Sequence, residues 1–214
     1  MNFYLALLVS VTASAAAWDH ETDIGFIHEP IPPYPSPEPI AKDLDIMRVI
    51  NVNERLVVMM RKHTIGTSYR CLSALKTGGS GKGPYEYKLK ARKGIHTGDQ
   101  YINVDIRVTL ESLGGTTPGY KAIYYQEGNK VTLTLKKVDD DGKCFVLFAD
   151  HGKNNGGCEL LLKKSALRQD IPANCLSYYE NQCGGVSIQL REEGCKYDDI
   201  PKLVPIEKGP EVML

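Results

Sequence analysis

From residue 55 onward, apolar and polar positions repeat with a period of two in segment after segment, the spacing of a strand with one buried face. Arg55 to Met60, Ser68 to Leu75, Tyr85 to Ala91, Tyr101 to Leu110, Tyr120 to Gln126, Val131 to Lys137, Cys144 to Ala149 and Cys158 to Lys163 read as eight strands. Between them lie turn sequences such as Gly78-Gly79-Ser80-Gly81, Glu127-Gly128-Asn129 and Asp139-Asp140-Asp141-Gly142, which supply the positive-φ positions that hairpins need. Short loops in series imply that consecutive strands pair antiparallel. Eight strands joined this way can close into a barrel, which removes the exposed edges and leaves room inside for side chains or one small ligand. The predicted fold class is therefore all-β, an eight-stranded antiparallel barrel, with an open β-sandwich as the alternative.

Two segments have helical spacing instead. Leu44, Ile46, Met47 and Ile50 place a short amphipathic helix over Ala41 to Ile50. Ile171 to Gln182 reads as a second helix, opened by Asp170 as N-cap with Pro172 in the first turn. The strand from Tyr101 is unusually regular, with Ile102, Val104, Ile106 and Val108 on one face and Asn103, Asp105, Arg107 and Thr109 on the other. If the apolar face turns inward, the lumen suits a fatty ligand. If the polar face does, Asp105 and Arg107 enter it as a charge pair able to hold a carboxylate or an amine.

The ends of the chain read differently. Residues 1–17 carry no charged side chain and run from Leu5-Ala6-Leu7-Leu8-Val9 into Ala13-Ser14-Ala15-Ala16-Ala17, the pattern of a secretory signal peptide. The apolar run is too short for a bilayer span of about 20 residues. Residues 18–40 form an acidic and proline-rich arm containing Pro30-Ile31-Pro32-Pro33-Tyr34-Pro35-Ser36-Pro37, expected to be an extended polyproline II spacer. The barrel domain is assigned to residues 41–199 and a C-terminal tail to 200–214. A secreted, extracellular, soluble product is expected, and a monomer.

Composition narrows the function classes. The chain has 26 basic and 26 acidic residues, so no whole-protein field draws it to nucleic acid or to an anionic membrane. No nucleophile elbow, His-Glu-x-x-His motif or phosphate loop is present, so neither an enzyme nor a bound cofactor is expected. Gly78 to Gly83 only superficially suggests a phosphate loop, and a hairpin loop is the better reading. There are six cysteines, none in a Cys-x-x-Cys pair. In an oxidising compartment they imply disulfides rather than a metal site.

The later cysteines carry a recognisable pattern. Cys144-Phe145-Val146-Leu147-Phe148 opens a strand, Gly157-Cys158-Glu159-Leu160-Leu161 follows a Gly-rich turn, Ile171-Pro172-Ala173-Asn174-Cys175-Leu176 lies on a helix, and Cys195 comes late. Together with Ser68-Tyr69-Arg70-Cys71, this resembles the tick salivary lipocalins, the family of the histamine-binding proteins. The resemblance spans about Ala41 to Cys195 and implies a lipocalin barrel that sequesters a small host mediator in evading host defence. It also implies a Cys71 to Cys195 bridge and a Cys144 to Cys175 bridge, leaving Cys158 for Cys183.

With the cysteines outward, alternation turns Phe145, Leu147, Glu159 and Leu161 toward the lumen. The resemblance places Glu159 in an amine-binding cavity and an aromatic wall at Tyr124 or Tyr125, of which Tyr124 is favoured. The candidate ligand-binding residues are thus Glu159, Tyr124, Phe145, Leu147, Asp105 and Arg107. Two departures weigh against histamine. The resemblance leads one to expect an acidic residue where Phe145 stands, and an acidic, tryptophan-bearing turn where this chain has Arg61-Lys62-His63-Thr64-Ile65-Gly66. The small-molecule ligand is accordingly a biogenic amine or a fatty-acid-derived mediator. Binding of a host protein by the outer surface is the rival class.

Overall fold

Whether a side chain enters the lumen depends on strand parity, and parity here separates two apolar clusters on opposite faces of one sheet. The computed structural model describes residues 43–94, 96, 100–115, 118–152 and 155–198. The leader, the proline-rich arm and the C-terminal tail lie outside the described residues. The strands are β1 (Leu56–Arg61), β2 (Tyr69–Gly78), β3 (Tyr85–Lys93), β4 (Tyr101–Ser112), β5 (Tyr120–Gln126), β6 (Asn129–Val138), β7 (Cys144–Asp150) and β8 (Gly156–Lys163). Each pairs antiparallel with the next, β8 pairs with β1, and β1 pairs with β2. The sheet therefore closes into a barrel, not an open sandwich.

On β7, Phe145 and Leu147 join the interior cluster with Leu56, Val58, Leu135 and Leu161. Cys144 and Val146 join an outer cluster with Val57, Cys158, Leu160 and Leu162. The outer cluster is covered by helix α2 (Ala173–Gln182), which buries Cys175 and Tyr179 against it. Disulfides Cys144–Cys175 and Cys158–Cys183 fasten the two ends of that cover, with Cα separations of 6.3 and 5.9 Å. Contrary to the sequence expectation, Asp170 is not the cap of α2. Pro172 holds that position and its carbonyl accepts the N–H groups of Cys175 and Leu176.

A ninth strand, β9 (Ile188–Gln189), completes the wall. β1 and β2 pair only at Leu56–Ala74 and Val57–Ser73. Beyond that point Met60 and Arg61 pair with Gln189 and Ile188 instead. Leu190 bridges the gap, its N–H donating to the Met59 carbonyl and its carbonyl accepting from the Cys71 N–H. Disulfide Cys71–Cys195, Cα separation 5.4 Å, holds this insertion in place. All three bridges are the pairs the resemblance implies.

The helix expected over Ala41 to Ile50 is shorter, α1 being Met47–Ile50. Asp45 explains the difference, because its carboxylate accepts N–H bonds from Met47 and from Tyr120, both at 3.1 Å. One side chain thus ends the extended run, in which Leu44 bridges to Leu135, and ties it to β5. From there Ile46, Val49 and Ile50 pack into the interior cluster. Lys76 Nζ donates to the Ile50 carbonyl at 2.9 Å, so α1 plugs the barrel end opposite the β1–β2 and β7–β8 loops.

Candidate functional site

The lumen left above α1 is a cavity of about 280 Å³. Its walls are aliphatic, with Val58, Leu89, Ile106, Leu133, Leu147 and Leu161 among the lining residues. One cluster of polar groups stands out. Arg61, His63, Tyr124, His151 and Glu159 all line the cavity, brought together by the end of β1, the middle of β5 and the β7–β8 end of the barrel.

Glu159 is the centre of this group. Its Oε1 lies 3.0 Å from His63 Nε2, and the His63 side chain is 1% exposed. His63 Nδ1 in turn lies 3.1 Å from the Thr64 hydroxyl. Arg61 donates through Nη2 to the Thr64 carbonyl at 3.0 Å. The His151 ring sits 4.9 Å from the His63 ring, centroid to centroid. Among the described residues, two polar atoms of the group are buried with no hydrogen-bond partner: Arg61 Nε and His151 Nε2.

The electrostatics follow from that packing. Burial alone pushes the Glu159 carboxyl upward, but the hydrogen bond from His63 and the electrostatic pull of His63, Arg61 and His151 outweigh it and hold the group below the ordinary carboxylate value. Burial first, then repulsion from His63 and Arg61, pushes His151 down, so it is neutral at pH 7. Burial also lowers Arg61, opposed by Glu159 and assisted by Arg70, yet a guanidinium stays charged in proteins. Burial raises the Tyr124 hydroxyl, as does the Glu159 charge, with Arg61 opposing. The group thus holds one fixed anion, one fixed cation and two imidazoles beside an apolar volume.

The sequence-predicted residues divide. Glu159, Tyr124 and Leu147 line the cavity, while Tyr125 is 64% exposed on the outside. Phe145 points inward as alternation requires, but it is 1% exposed in the interior cluster that includes Ile46 and Val49 of the plug. It is packing at the closed end and does not line the cavity. Asp105 and Arg107 are also corrected, because both are exposed on the outer face of β4 while Ile102, Val104, Ile106 and Val108 line the lumen. Turning the charged pair inward would strip both groups of water and expose Ile102, Val104, Ile106 and Val108 to solvent in exchange.

Against this geometry, the sequence model described as tick histamine binding protein matches residues 42–197. The chain belongs to the tick histamine-binding protein family. Members of this family are ligand-binding lipocalins, and the closed barrel with its cavity is the corresponding architecture. Among solved structures the chain is similar to japanin from Rhipicephalus appendiculatus bound to cholesterol, at 12% identity and a TM-score of 0.49, covering 66% of this chain and 95% of that one. A comparison with curated protein sequences gives no match.

Three residues of the polar group escaped the sequence reading as cavity-lining positions. His151 was within reach of it, since Phe145, Leu147 and Ala149 set a parity that continues to 151. Arg61 and His63 were not. Alternation from Leu56 and Val58 would send Met60 and Lys62 inward, but the β1–β8 register shifts between Val58 and Met60. That bulge reverses the parity, so Met59 and Met60 both pack outward and Arg61 and His63 face the lumen.

Proposed function

We propose that this family member sequesters a small amphipathic anion of the fatty-acid-derived class, its hydrocarbon in the aliphatic lumen and its carboxylate beside Arg61 and His151. The observation that carries this reading is the pair of buried, unpartnered nitrogens at the edge of an apolar cavity. Buried polar groups nearly always find partners, and a carboxylate supplies an acceptor to the guanidinium Nε–H and to an imidazole N–H at once. A protonated amine fits less well. Glu159, its natural countercharge, is already engaged by His63 and neutralised by Arg61, and an added cation would stand against that guanidinium. The exposed Glu127 at the cavity rim is solvated and offers only a weak countercharge.

The biological setting belongs to the same proposal. The leader directs secretion, cleavage after Ala15 or Ala17 releases the mature chain, and the disulfide-tied barrel removes the mediator from host tissue fluid. Organic extraction of the purified secreted protein followed by mass spectrometry tests the ligand class. A bound long-chain acid is the expected result. Histamine or serotonin recovered in its place would overturn it, and an empty cavity that takes up no acid would move the function to binding of a host protein by the outer surface.

A further inference from the structure

The far end of the cavity holds a second polar station. Tyr87 is the third residue of β3, on the inward face with Tyr85 and Leu89, and it lines the cavity. It is 7% exposed, and its hydroxyl is buried with no hydrogen-bond partner among the described residues. Its neighbour on the same face differs. Tyr85 donates its hydroxyl to the Gly81 carbonyl of its own hairpin loop. Burial pushes the Tyr87 hydroxyl up to about 12, with a smaller contribution from Tyr85, so it is a neutral donor and acceptor at any physiological pH.

The register fixes where Tyr87 stands. It pairs with Lys76 across the β2–β3 ladder, and Lys76 is the residue that reaches the Ile50 carbonyl of the α1 plug. Leu56, Ala74 and Leu89 lie level with one another across β1, β2 and β3. Tyr87 is two positions below that level and Arg61 four ladder steps above it, because the bulge between Val58 and Met60 adds a residue without adding a level. Six steps along tilted strands separate the two by roughly 15 Å. A monoamine cannot bridge that distance, whereas an extended long-chain amphiphile can.

We infer that Tyr87 is a specificity-determining residue that selects, among long-chain acids, those carrying a hydroxyl or carbonyl oxygen at the end remote from the carboxylate. This rests on the proposed binding of an acid at Arg61 and His151 and adds a second point of recognition to it. A plain alkyl terminus would leave the Tyr87 hydroxyl buried and unsatisfied, while a distal oxygen would supply its missing bond. Sites built around a buried hydroxyl discriminate against ligands that lack the matching group.

The test is calorimetric titration of the purified full chain with palmitic acid and with ω-hydroxypalmitic acid, repeated on Tyr87→Phe. The unsubstituted protein is expected to bind the hydroxylated acid about five- to tenfold more tightly. Tyr87→Phe should melt at an unchanged temperature, bind palmitic acid at least as well, and lose the preference. No preference in the unsubstituted protein, or a preference that survives in Tyr87→Phe, would overturn the inference while leaving acid binding intact. If neither acid binds, both the inference and the proposed function fall.

Discussion

His63 Nε2 lies 3.0 Å from Glu159 Oε1, joining residues 96 positions apart, and that contact decides what the cavity offers a ligand. Without it, Glu159 would be a lone carboxylate in an apolar lumen, the natural anchor of an amine. With it, and with Arg61 adjacent, the carboxylate is spoken for. Within this polar group, and among the described residues, the atoms left without partners are nitrogens of Arg61 and His151.

The first prediction concerns Glu159 itself. Glu159→Gln keeps an acceptor for His63 but removes the negative charge, so the site becomes net cationic. Affinity for a long-chain acid should rise about two- to fivefold, consistent with a modest gain from losing one nearby like charge in a screened site. Fluorescence displacement of a bound fatty-acid probe measures this, and a marked loss of affinity would show that Glu159 itself engages the ligand.

Arg61→Gln should have the opposite effect. Removing the fixed cation takes away a charge-assisted bond of the kind that contributes about 1.5–3 kcal/mol, so acid affinity should fall roughly ten- to a hundredfold. The double variant Asp105→Ala/Arg107→Ala is the control. Both residues lie on the outer face, and their replacement should leave ligand affinity unchanged in the same assay.

Acid should destabilise the barrel in two steps of the same sign. The His151 pKa in the fold lies below its ordinary 6.5, so the unfolded chain binds the extra proton first and stability falls as pH drops below about 6.5. Glu159 is depressed below its ordinary 4.5. Its contribution is complete above that value and is lost as pH falls through the lower folded value. Urea midpoints measured across this range should decline more shallowly for His151→Asn between neutrality and pH 5, and for Glu159→Gln below pH 4.5.

The disulfides should not be equivalent. Cys71–Cys195 closes 124 residues and holds β9 in the barrel wall, while Cys158–Cys183 closes 25. The loop-entropy relation makes the longer bridge worth about 1.4 kcal/mol more. Cys71→Ser/Cys195→Ser should therefore lower the melting temperature further than Cys158→Ser/Cys183→Ser. It should also weaken acid binding, because Arg61 pairs with Ile188 of the released segment.

Much of this architecture was legible because it rests on parity. The eight strands follow from alternation and turn chemistry, and the outward cysteines correctly send Leu147 and Glu159 into the lumen. Parity says nothing of depth, which is why Phe145 faces inward yet is covered at the plugged end. It also fails wherever a bulge intervenes, as it does between Val58 and Met60, hiding Arg61 and His63. The regular strand from Tyr101 left two orientations open on sequence alone, and the gain from burying four aliphatic side chains while leaving Asp105 and Arg107 in water selects the apolar face. The disulfide pairing came from resemblance, since six cysteines admit many connectivities.

The central claim is that the cavity prefers an amphipathic anion to a cationic amine. Calorimetric titration of the purified protein at neutral pH, with palmitic acid and with histamine in parallel, tests it most directly. Saturable, one-to-one uptake of the acid that weakens in Arg61→Gln, with no heat from histamine, is the expected result. Tight histamine binding abolished by Glu159→Gln, with the acid silent, would contradict it.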